Sequence, residues 1–302
     1  MVLESIITPE RAEKKPWDMI FIGFLYASVA MFLSVWVFKE EASLVMVLLT
    51  VTASVPLLFN TEKLEEEKDV RIDKELTLLK EHSKALLFFI FLFCGFVLAF
   101  TLWFVFLPED IVQAVFKTQL GTIKAINSQI TGGSSFLSSA NVFSGSSSID
   151  ASAFSHTTLL FHIIANNLKV LLFCLFFSFF YGAGAIFILT WNASVISAAV
   201  GTFIRNNISA YATAAGLTKV GGYFHIFSLG LLRYAIHGIP EILAYFIGGL
   251  AGGIISVAVI RHDFGTKTFK KIIFDSFDLI ALAVAVIFIA GLLEVYVTPL
   301  FF

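Results

Sequence analysis

Long apolar runs separated by shorter polar intervals set the pattern of this chain. The runs cover residues 17–37, 42–59, 85–107, 161–182, 185–204, 239–260 and 277–298. Each is close to the roughly 20 residues that an α-helix needs to cross a hydrocarbon layer about 30 Å thick. A further apolar piece, residues 222–236, is too short to cross alone. Inside a bilayer every peptide group must find its partner within the protein, which makes helices the spanning element for such runs. The pattern predicts an all-α, polytopic transmembrane helix bundle of about seven spans, with a broken or re-entrant helix between Gly222 and Glu241.

The intervals predict less regular structure. Residues 60–84, "NTEKLEEEKDVRIDKELTLLKEHSK", mix both signs of charge and carry Leu64, Ile72, Leu76 and Leu79 at roughly helical intervals. They read as a solvated helix held by i,i+4 pairs, with docking of a partner as the sharper alternative. Residues 108–127 place Ile111, Val112, Val115, Phe116, Ile123 and Ile126 on one side of a helix, as expected of an amphipathic helix on the membrane surface. The Ser- and Gly-rich stretch that follows reads as a mobile loop. Three regions result. Residues 1–107 form a three-span part with a charged helix, 108–160 an outer segment, and 161–302 a four-span core with the re-entrant piece.

Composition agrees with this class. Of 302 residues, 58% are hydrophobic and 14% charged, against roughly 25% charged in soluble domains. The 35 phenylalanines suit lipid-facing surfaces. A net charge of −2 spread along the chain offers no nucleic-acid surface, so the lipid bilayer is the expected partner. Cys94 and Cys174 lie inside apolar runs and read as small buried hydrophobes. The basic residues choose an orientation. With the N-terminus in the cytoplasm, thirteen Lys and Arg fall inside and five outside, and the C-terminus is extracytoplasmic. A multi-pass protein of the cell membrane is expected.

Charge within the spans calls for explanation, since an ionised side chain at a helix centre costs about 2.5–3.5 kcal/mol on insertion scales. Asn166, Asn167 and Lys169 lie in the fourth run, and Arg233, His237 and Glu241 around the start of the sixth. Glu294 lies near the end of the seventh. The derived orientation places all of them in the outer half of the bilayer, where Lys169 and Arg233 could balance Glu241 and Glu294. Pro240 cannot donate to the carbonyl of Ile236 and its ring crowds it, so a helix break at Gly238–Pro240 is expected. Such breaks recur at transporter binding sites. Gly248, Gly249, Gly252 and Gly253 form overlapping GxxxG steps that suit close helix packing within the chain, with a homodimer as the alternative. No Walker loop, HExxH or GxSxG motif occurs, and "HGIPE" does not set two histidines on adjacent helical turns. No catalytic residue, metal ligand set or cofactor is assigned.

Three stretches resemble a known family. "NNLKVLLFCLFFSFFYGAGAIFILTWNA" from Asn166, "HGIPEILAYFIGGLAGG" from His237 and "AGLLEVYVTP" from Ala290 are similar, in this order, to signatures of the stage II sporulation protein M family. The first residues, "ITPERAEKKPWDMIFIGFLYASVA", resemble its archaeal branch. The resemblance implies an integral membrane protein whose motif positions are Asn166, Asn167, His237, Gly238, Pro240, Glu241, Glu294 and Pro299. In sporulating bacteria such proteins anchor cell-wall-degrading partners during engulfment. The resemblance therefore implies a scaffold for membrane or envelope protein partners. The intramembrane charges point to the alternative, a transporter or channel with a polar cavity in its outer half.

Overall fold

The computed structural model describes residues 8–72, 74–132, 152–181, 185–208, 216–261 and 265–300. After the short helix α1 (Pro9–Lys14) come α2 (Asp18–Val37), α3 (Ala42–Arg71) and α4 (Glu75–Phe106). Two helices of the outer segment follow, α5 (Glu109–Val115) and α6 (Lys117–Gly132). The rest comprises α7 (Ser152–Tyr181), α8 (Ala185–Ile208), α9 (Gly216–Arg261) and α10 (Lys267–Leu292). A π-helical turn, Leu293–Val297, and a 3₁₀ turn, Thr298–Leu300, extend α10. Seven of these helices are long and apolar enough to cross a membrane: α2, α3, α4, α7, α8, α9 and α10. This is an all-α, polytopic bundle. Seven crossings leave α1 and Thr298 on opposite sides, called here the N-terminal and C-terminal faces.

Small residues decide where helices approach closely. Helices α2 and α4 cross at Gly23 and Gly95, where a Cβ on Gly23 would lie 2.3 Å from the Leu92 carbonyl oxygen. A Cβ on Gly95 would lie 2.4 Å from that of Ile20. Beside this crossing Trp103 donates its indole N–H to Ser28 Oγ at 2.9 Å and meets the Phe32 ring edge-on. Phe88, Leu92, Phe96 and Phe100 then line the buried side of α4 with Met19, Met31 and Met46. Phe21, Trp36, Phe161 and Phe274 point outward, as lipid-facing side chains do. Entry into α10 is set by Gly265, whose φ of 88° suits glycine alone, and by Thr266, whose side chain caps the Phe269 N–H.

Three expectations change. Helix α9 runs unbroken for 46 residues with Pro240 inside it, so there is no break at Gly238–Pro240. Pro240 removes one hydrogen bond, whereas a full break would expose several peptide groups at membrane depth, and the single loss is the smaller cost. Next, residues 60–84 do not form a separate solvated helix. They are the ends of α3 and α4, which at 30 and 32 residues reach about 45–48 Å and overshoot a hydrocarbon layer of about 30 Å. Finally, α5 and the start of α6 dock on the bundle instead of lying on lipid. Val112, Val115 and Phe116 are buried, and Phe116 packs edge-on against Phe100 and Phe104. Buried Gln119 accepts from Ser43 Oγ at 2.8 Å and donates to Ser194 Oγ at 3.1 Å, partners that lipid could not supply. The side chain of Ile126 and most of the Ser/Gly-rich stretch lie outside the described residues.

Candidate functional site: two polar clusters along helix α9

Helix continuity fixes the geometry of the first cluster. His237, Glu241 and Tyr245 follow at i, i+4 and i+8 along α9 and share one face. Tyr245 donates its hydroxyl to Glu241 Oε1 at 2.7 Å. Thr298 approaches from the end of the chain, its hydroxyl donating to the Leu293 carbonyl at 3.1 Å. That leaves the Thr298 oxygen to accept from His237 Nδ1, 3.2 Å away, and selects the Nδ1–H tautomer. Glu294 occupies the π-helical turn, a local widening that often marks functional positions. That turn packs against α9, which carries Glu241.

The other residues expected here divide by helix face. Ile164 meets α10 at Gly291 and Leu171 meets α9 at Gly248. Asn167 lies between them in sequence on the same side of α7, buried, with its Nδ2 lacking a hydrogen-bond partner. At about 100° per residue, Asn166 and Lys169 then point well away from that junction. Both are exposed, beside the outward-facing Leu172 and Phe173. Among the described residues Lys169 makes no ion pair with Glu241 or Glu294, so the expected balance of acids by Lys169 is not formed. The Arg233 side chain lies outside the described residues. What remains together is an acid pair with His237, Tyr245, Thr298 and Asn167 nearby.

The four glycines of α9 connect this cluster to a second. A Cβ on Gly248 would lie 2.3 Å from Leu171 Cδ1, one on Gly249 2.8 Å from Ala185 Cβ, and one on Gly252 2.4 Å from the Leu175 carbonyl oxygen. These are contacts within the chain. Gly253 faces α3, and a Cβ there would lie 2.3 Å from the Glu62 carboxyl carbon.

Glu62 opens a polar network at the N-terminal face that the sequence reading passed over. Glu62, Glu65, Glu66 and Asp69 are all buried. His82 of α4 places Nδ1 2.6 Å from Glu65 Oε2 and Nε2 2.9 Å from Asp69 Oδ1. Carboxylate oxygens only accept, so both ring nitrogens donate and the ring is the imidazolium. Lys68 bridges Glu65 at 2.6 Å to Glu13 of α1 at 2.8 Å. Burial and the neighbouring Glu65 push the Glu13 carboxyl up to about 7, against the pull of Lys68. Arg261, at the end of α9, donates to Glu66 at 2.7 Å, and Lys271 of α10 donates to the Ile72 carbonyl at 2.6 Å. The polarity of this end of α3 is reversed: Glu65 is 0% exposed while Leu76, just across the turn, is 85% exposed. The spacing i, i+3, i+4, i+7 of the four acids was the signal, because it continues the buried stripe of Thr50, Ser54, Leu57 and Thr61. Among the described residues no three His, Cys, Asp or Glu groups are placed to hold a metal ion.

The stage II sporulation protein M family matches residues 85–299, from the third span to the turn after Glu294. The chain belongs to the stage II sporulation protein M family. That range contains the whole first cluster, from Asn167 to Thr298, whereas α1, α3 and His82 precede it. The family region also begins well before the three stretches that carry its resemblance. No curated protein and no solved structure matches the chain.

Proposed function

We propose that this stage II sporulation protein M family member is a transporter or channel whose acid pair, Glu241 and Glu294, binds a proton or small cation reaching it from the C-terminal face. The observation that carries this reading is the acid pair itself, set beside the Tyr245–Glu241 and His237–Thr298 hydrogen bonds. Two carboxyl groups on packed elements, α9 and the π-helical turn, receive one hydrogen bond from Tyr245, and Lys169 is exposed. Two like charges so placed do not act as structural glue; they take up positive charge. His237, Thr298 and the unpartnered Nδ2 of Asn167 add polar groups at the same level.

The positive-inside pattern supports a cytoplasmic N-terminal face in the cell membrane, with the acid pair nearer the outside. Proteoliposomes loaded with a pH-sensitive dye test the reading under imposed proton and sodium gradients. Flux is expected, and Glu241→Gln and Glu294→Gln should each reduce it at least tenfold. Flux unchanged in both variants would refute the assignment.

The family membership favours a second reading, a scaffold for envelope partners. The docked α5–α6 segment, held through Gln119 and by Arg205 against Glu109, supports it as a fixed platform on the C-terminal face. Under that reading a partner co-purifies from native membranes in mild detergent and reconstituted protein carries no flux.

A further inference from the structure

Among the described residues, the network at the N-terminal face contains acid groups that no base meets. Of its buried groups, Glu65 is met by Lys68 and His82, Glu66 by Arg261, and Asp69 by His82 through one oxygen only. Asp69 Oδ2 and Glu62 Oε2 are buried with no hydrogen-bond partner. Glu62 is 3% exposed and is pressed against the α9 backbone at Gly253. No cation among the described residues reaches its carboxyl group.

Among the described residues the surrounding elements offer no spare base. From α1 the facing group is Glu13, itself an acid sharing Lys68. The turns of α4 bring His82, already between two carboxylates, and Glu81, which pairs with Lys84. Glu67 at the rim is shared by Arg71 and Arg261. Helix α9 contributes Arg261, and α10 contributes Asp275 and Lys271, which donates to the Ile72 carbonyl. An ionised carboxylate buried without a partner is strongly disfavoured, whereas a proton removes the charge and supplies a donor.

We propose that the buried acidic face of α3 is a proton-binding site of the N-terminal face, in which Glu62 holds a proton against Gly253. The site is separate from the Glu241–Glu294 pair and does not depend on the transport reading. Gly253 lies twelve residues beyond Glu241 on α9, about 18 Å further along the helix.

Infrared difference spectroscopy on the full-length protein in lipid tests the proposal without any flux measurement. The wild type should show a protonated-carboxyl C=O band at pH 7 that shifts in deuterated water. Glu62→Gln should abolish that component, because the amide is the uncharged mimic of the protonated acid. Absence of the band, or its persistence unchanged in Glu62→Gln, overturns the proposal. A second measurement uses the unmodified chain, in case the variant fails to fold. A hydrophobic carbodiimide reacts with a protonated carboxyl: the acid proton moves to nitrogen, the carboxyl oxygen adds to the central carbon, and rearrangement gives a stable N-acylurea with no leaving group. Peptide mass spectrometry should find that adduct on Glu62, and an unlabelled Glu62 overturns the assignment. Labelling suppressed by sodium chloride but not by choline chloride also overturns it, in favour of bound sodium.

Discussion

His82 offers the sharpest test of whether the charged end of α3 is a packed interior. Replacing it with Leu keeps a side chain of similar bulk but removes both donors, which stand 2.6 Å from Glu65 and 2.9 Å from Asp69. Glu65 and Asp69 are 0% and 1% exposed, so water cannot take over. Removing one partner from a buried pair costs about 3–5 kcal/mol, chiefly because the other charge is stranded. Glu65 keeps Lys68 at 2.6 Å, which places His82→Leu toward the lower end of that range. The complementary step is the triple variant His82→Leu, Glu65→Gln, Asp69→Asn. It removes the stranded charges and should recover most of the loss, since neutral or apolar replacements of buried ion pairs are often tolerated. Equilibrium unfolding in a mild detergent, titrated with a denaturing detergent, reads both numbers. If His82→Leu costs less than about 1 kcal/mol, the range for exposed pairs, the network is solvated and the buried description is refuted.

The remaining expectations are shorter. Gly23→Ala and Gly95→Ala should each destabilise by about 1–3 kcal/mol through overpacking. The double variant should cost less than the sum, because once α2 and α4 have separated the second methyl finds room, and full additivity in a double-mutant cycle would contradict the shared crossing. Gly238→Ala has nothing within 4 Å of the new Cβ and lies inside a continuous helix, so it should be neutral or stabilising by up to about 1 kcal/mol; marked destabilisation in the same assay would restore the break. Glu13 binds its proton more tightly folded, at about 7, than in an unfolded chain at its ordinary value. Its contribution is therefore fully present below about pH 4.5 and is lost as pH rises through 7. Glu13→Gln should flatten that part of the stability–pH curve, and an unaltered slope would remove Glu13 as its source.

The spans were readable because length and apolarity are properties of single segments. All seven runs became helices, and residues 60–84 were legible as helical though not as buried. What a single segment does not carry is which side of it meets protein. The mixed charges of residues 60–84 read as a solvated face, yet Leu76 and Leu79 are the exposed groups and the four acids are buried, because their partners come from α1, α4 and α9. The same limit explains Lys169. Depth in the bilayer follows from position along the run, but azimuth follows from packing, and Asn167 toward α9 and α10 requires Lys169 away from them. Pro240 was weighed by its local cost alone, while continuity of α9 is held by the helices packed along it. The outer segment reads as amphipathic in either setting, and Gln119, polar on the apolar side, was the residue that distinguished protein from lipid.

The reversed polarity of α3 also bears on how the chain can be assembled. Its acids meet His82 as soon as α4 follows, but Gly253 and Arg261 arrive much later, Arg261 lying 195 positions beyond Glu66. Through most of synthesis Glu62 and Glu66 stand at the membrane boundary without the helix that closes over them. Insertion of α9 is thus the step that makes the N-terminal half complete. A chain interrupted before it would present an unshielded acidic ridge, a mark by which unfinished copies differ from finished ones.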